Sequence, residues 1–129
     1  MAAISALADV APARFEREHG PDRWPAFLDA AARDVERFDA NDHLRQAQAM
    51  MAHDVSAPFG GSLARAAAAV KARLLVVVTS SDRIVTPASS REFARAARAQ
   101  LLELTNDCGH GGANCEFDRV RRAVSRFLR

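Results

Sequence analysis

The residues from Arg73 onward predict an α/β fold, and three observations carry that prediction. Arg73-Leu74-Leu75-Val76-Val77-Val78-Thr79 is a continuous run rich in β-branched residues, the pattern of a strand buried on both faces of a parallel sheet. A second short strand is expected at Gln100–Leu104, after a stretch of helical period. Each strand runs into a polar loop followed by another helical stretch. The order strand, loop, helix, strand, loop, helix describes a βαβ unit with a covering helix, its strands parallel and its crossover right-handed.

The elements before and between these strands follow from local signals. Trp24, Phe27, Leu28, Ala31 and Val35 fall at steps of three and four, which predicts a helix over residues 22–35, with Pro25 in its first turn. A second helix is expected from Asn41 or Asp42, either serving as its cap, to about His53, with Leu44, Ala47 and Met51 turned inward. Residues 37–41 read as a tight connection, so the pair predicts a packed helical hairpin with no strand, a lid spanning residues 1–57. The breaker-rich segment Ser56-Ala57-Pro58-Phe59-Gly60-Gly61-Ser62 separates it from the sheet portion, residues 58–129. Ser62 is placed to cap a short Ala-rich helix ending near Lys71. Thr86-Pro87 starts the crossover helix, with Phe93, Ala94 and Ala97 on one face and Arg91, Arg95 and Arg98 on the other. The last helix, from about Glu116, puts Val120, Val124, Phe127 and Leu128 on one face.

Composition removes several classes of function. The net charge is +2, and the 18 basic residues, all arginine except Lys71, are dispersed among acids, so no nucleic-acid stripe is expected. The longest strongly apolar run, Leu74 to Val78, is too short for a bilayer, and the first ten residues lack the basic start of a signal peptide. A cytoplasmic protein with no membrane partner is the expectation. Cys108 and Cys115 are too few for a disulfide framework. With His110 they offer three metal ligands and no clear fourth, so they read as two small, half-buried thiols and no metal is expected.

In open parallel sheets, reactive groups collect at the carboxyl ends of the strands. Asp82 stands just past the first strand and His110 just past the second, so adjacent parallel strands bring a carboxylate and an imidazole together from 28 residues apart. A carboxylate that accepts from one ring nitrogen fixes the tautomer and leaves the other nitrogen as a base. Each motif alone has a plain structural explanation, Asp82 as a loop or helix cap and Gly-His-Gly-Gly as a turn. The order acid, then histidine also matches the second and third members of the α/β-hydrolase triad.

The run Arg37-Phe38-Asp39-Ala40-Asn41-Asp42-His43-Leu44 resembles a segment of the homoserine O-acetyltransferases, in which Ser-Tyr stands for Asp42-His43. Ser80-Ser81-Asp82-Arg83-Ile84-Val85-Thr86-Pro87 is similar to the acid loop of that family, and Cys108-Gly109-His110 to its histidine loop. The resemblance implies the C-terminal part of an α/β-hydrolase fold carrying a helical lid. It also implies transfer of an acetyl group from acetyl-CoA to the hydroxyl of a small molecule through an acyl-serine. Asp82 would then be the triad acid and His110 the general base, with no bound cofactor and acetyl-CoA as donor. The residues after His110 are smaller than in that family.

No Gly-x-Ser-x-Gly occurs among the 129 residues, and no strand feeds Gly60-Gly61-Ser62. The expectation is therefore a fragment, a truncated product or one half of a split enzyme, lacking the serine nucleophile. Such a chain is expected to work with an N-terminal half in trans or to form a homo-oligomer, its first strand having an unpaired edge. An ester hydrolase, with water as acceptor, and an inactive truncated module are the alternative readings.

Overall fold

The computed structural model describes residues 7–35 and 39–129, with only the backbone at Val35. Its helices are α1 (Pro12–Glu18), α2 (Trp24–Val35), α3 (Ala40–Ala52) and α4 (Leu63–Ala69) before the sheet. Strand β1 (Leu75–Thr79), helix α5 (Pro87–Ala96) and strand β2 (Gln100–Leu104) form the βαβ unit. Two helices close the chain, the short α6 (Gly112–Cys115) and α7 (Phe117–Phe127). The two strands pair in parallel, Leu75 opposite Gln100 through Thr79 opposite Leu104. The ladder continues past β1, where the Ser80 N–H donates to the Leu104 carbonyl at 2.9 Å. The result is an α/β arrangement, helix-rich around a small parallel sheet. Among the described residues no helix is long and apolar enough to cross a membrane.

Local chemistry accounts for most boundaries. Ser62 accepts from the Arg65 N–H and caps α4. Pro87 occupies the first turn of α5, where its missing N–H costs nothing, although the Thr86 hydroxyl makes no capping bond. Helix α4 packs on α5, α5 on both strands, and α6 and α7 on β1. The core gathers there: Ala66, Ala67, Val78, Ala94, Leu104 and Ala123 are buried, and among the large side chains of the described residues Leu104 alone is fully so. Val124 and Leu128, expected on the inner face of α7, are exposed, and Ala123 is the buried position instead.

The helical half departs from expectation in three respects. Residues 22–35 and 40–52 hold no strand, but α3 begins at Ala40 and its cap is Asp39, whose side chain accepts from the Asn41 N–H, instead of Asn41 or Asp42. The inward assignment of Leu44, Ala47 and Met51 is overturned: α3 has no buried residue, and Met51 is 87% exposed. Helix α2 sets Trp24 and Phe27 against Phe15 of α1 and follows directly on the 3-10 turn Pro21–Arg23, without comparable contact to α3, and among the described residues of its apolar face only Ala31 is buried. The packed hairpin is therefore absent from the described residues; the Arg37–Phe38 part of its connection lies outside them. An amphipathic pattern specifies which face seeks cover, and among the described residues no side chain of α3 is buried.

Helix α1 was not legible beforehand. It lies over the loop that follows β2: the Ala11 N–H donates to the Asp107 carbonyl at 3.1 Å, and Arg17 pairs with the Asp107 carboxylate. That pairing is the foremost reason the Asp107 carboxyl sits below its ordinary pKa.

Candidate active site

Asp82 and His110 meet. His110 Nδ1 lies 3.0 Å from Asp82 Oδ2, across the loops that leave β1 and β2. The carboxylate does a second task with its other oxygen: Asp82 Oδ1 accepts from the Ile84 and Val85 N–H groups, each at 2.9 Å. Asp82 thus caps its own loop with one oxygen and meets the His110 ring with the other. Burial pushes the Asp82 carboxyl up, but the Val85 N–H, the His110 ring and the Ile84 N–H outweigh it and hold the group below its ordinary value. Asp82 is therefore an anion at neutral pH, acceptor-only, and the neutral imidazole it holds is the Nδ1–H tautomer. Nε2 is then the basic nitrogen. The Asp82 side chain is 13% exposed and that of His110 50%, so the imidazole stands at the surface and the carboxylate beneath it.

A cavity of about 240 Å³ adjoins the pair, lined among others by Val78, Thr79, Val85, Ser90 and Val120. Small-molecule sites run from roughly 300 to 1,000 Å³, so this space lies just below that range.

The histidine loop is built by contacts that sequence reasoning missed. Gly109 has φ +59° and its α-carbon abuts the Asp9 backbone; any side chain there would collide with it. A Cβ at Gly112 would likewise run into the Thr79 side chain, so glycine lets α6 start against the end of β1. Cys108 and Cys115 are joined in a disulfide, which corrects the expectation of two thiols. Spacing alone did not reveal it, because the bond depends on a 3-10 turn (Gly109–Gly111) and α6 folding the loop back within 6.5 Å between α-carbons. Arg14 of α1 donates to Cys108 Sγ and, at 3.4 Å, to Cys115 Sγ. Among the described residues no three His, Cys, Asp or Glu side chains are grouped to hold a metal ion.

No protein-family model matches the chain. Curated relatives do. A homoserine O-acetyltransferase of Acidiphilium cryptum is 37% identical over 99 residues, which cover 73% of this chain and 26% of that protein. One from Rhodospirillum rubrum is 40% identical over 99 residues, 73% of this chain and 25% of its own length. A homoserine O-succinyltransferase of Neisseria meningitidis is 35% identical over 99 residues, again 73% of this chain and 26% of the relative. The chain spans about a quarter of the length of the curated relatives it matches.

Proposed function

We propose, from the similarity of this chain to a C-terminal portion of the homoserine O-acetyltransferase family over about 73% of its length, that it supplies the acid–base half of an acyltransferase site. The observation that carries the reading is the 3.0 Å contact between His110 Nδ1 and Asp82 Oδ2 at the ends of adjacent parallel strands. In this reading residues 58–129 belong to an α/β-hydrolase sheet and residues 1–57 to its lid. The nucleophilic serine comes from sequence outside these 129 residues.

The chemistry follows from the tautomer. His110 Nε2 takes the proton of the serine as its oxygen attacks the thioester carbonyl of acetyl-CoA, and Asp82 stabilises the resulting imidazolium. The imidazolium returns that proton to the departing CoA thiolate. In the second half-reaction Nε2 deprotonates the hydroxyl of homoserine, which attacks the acyl-serine; the proton then goes back to the serine oxygen. An ester hydrolase would use the same groups with water as acceptor. The homoserine acyltransferases among the relatives favour transfer, without choosing between acetyl and succinyl donors.

The test is reconstitution. The chain is mixed with the N-terminal portion of the A. cryptum relative, and CoA release from acetyl-CoA is followed with and without homoserine. Homoserine-dependent release is expected only in the mixture, with His110→Ala abolishing it and Asp82→Asn lowering it about 10⁴-fold, as loss of the orienting acid does in serine triads. Release that survives His110→Ala would remove the reading; release without homoserine would favour the hydrolase.

A further inference from the structure

An imidazole half exposed to water has little packing to hold it against a carboxylate on a different loop. The two loops are fastened by the residue just before Asp82. Ser81 Oγ donates to the Asn106 carbonyl at 2.8 Å and accepts from the Gly109 N–H at 3.1 Å. It thus grips the base of the histidine loop and the residue adjoining His110. Its own backbone is fixed on either side, by the Ser80 N–H on the Leu104 carbonyl and the Asp82 N–H on the Thr79 carbonyl at 3.2 Å.

Asn106 completes the frame from within the loop. Its Oδ1 accepts from the Cys108 N–H at 3.0 Å, and its Nδ2 donates to the Gly112 carbonyl at 3.1 Å and to Glu116 Oε1 at 2.7 Å. Cys108, Gly112 and Glu116 are therefore each tied to Asn106, and Asn106 is tied to the acid loop through Ser81. A shift of about 1 Å between the loops stretches a 3.0 Å contact beyond hydrogen-bond range. We propose that Ser81 is the positioning residue of the His110–Asp82 pair, setting the register of one loop on the other; this rests on the acid–base reading of that pair.

The readout is the ring tautomer of His110, followed by long-range ¹H–¹⁵N spectra of the 129-residue chain at a pH where the imidazole is neutral. His110→Gln assigns the signal. Wild type is expected in the Nδ1–H form, and Asp82→Ala in the Nε2–H form that a free imidazole prefers. Ser81→Ala should move most of the way to the Asp82→Ala spectrum, while Ser81→Thr, which keeps the hydroxyl, stays with wild type. A merely stabilising hydroxyl would lower the melting temperature and leave the tautomer alone, and that result overturns the proposal. If Ser81→Ala loses its dispersed amide spectrum, Ser81→Cys takes its place with the same expectation. Should Asp82→Ala itself leave the tautomer unchanged, the pair is not formed in solution, and both the acid–base reading and the role of Ser81 fall together.

Discussion

Residues 12–52 and residues 63–127 are both rich in amphipathic helix, yet they reach different ends. Among the described residues before position 60, Ala31 is the only buried apolar side chain; after it, Ala66, Ala67, Val78, Ala94, Leu104, Cys108 and Ala123 are buried around the two strands. Helix α3 exposes Leu44, Met50 and Met51, whereas α5 and α7 lie on β1. Periodicity is present in both regions; the difference is the sheet, which offers a flat apolar face that a lone helix cannot offer itself.

The contrast is sharpest in truncation of side chains. Leu104→Ala should cost about 2–5 kcal/mol, the usual loss for a filled core position. Met51→Glu should leave the unfolding free energy within about 0.5 kcal/mol, as surface changes do. Urea titrations of both variants measure this. The same Met51→Glu should reduce self-association in sedimentation velocity, which is expected because α3 and the second edge of β1 are both uncovered among the described residues. A Met51→Glu chain as unstable as Leu104→Ala would erase the contrast.

The disulfide gives the next effect. It closes a loop of sequence separation 7, for which chain entropy predicts a stabilisation of about 2 kcal/mol. Reduction, or Cys108→Ala with Cys115→Ala, should lower the melting temperature of the sheet region in calorimetry and leave the circular dichroism of α2 and α3 unchanged. Smaller still is the cap: Asp39→Ala should weaken α3 by about 1 kcal/mol. That loss should show as reduced helicity without a matching shift of the cooperative transition, because α3 is not part of the core.

The smallest change concerns pH. Asp82 is held below its ordinary value, so the stability it contributes is fully present above the unfolded carboxyl pKa, about 3.9, and is lost as pH falls through the lower folded value. Wild type should therefore exceed Asp82→Asn in stability at pH 6 and converge on it as the pH falls below the folded value, as read by urea unfolding at each pH. A gap that does not narrow in acid would mean that the carboxylate charge is not what the loops hold.

The meeting of Asp82 and His110 was legible in sequence, and the residues that support it were not. Asp82 and His110 follow apolar runs whose ends are marked by polar residues, and parallel neighbours place such ends together. Ser81 and Asn106 carry no comparable signal, since a serine and an asparagine after a strand are ordinary turn residues until their partners are known.

By itself the sequence determined the second strand and the starts of α4 and α5. Gln100–Leu104, Pro87 and the Ser62 cap stand where propensity, fixed φ and side-chain capping put them, because those forces act over three or four residues. Only the tertiary structure decided that α1 covers the histidine loop, that Cys108 and Cys115 join, that Ser81 ties the two loops, and that the apolar face of α3 stays in water. Each of these depends on distances between residues far apart in sequence, or on whether a complementary surface exists. A local pattern can state the need for a partner but not supply one.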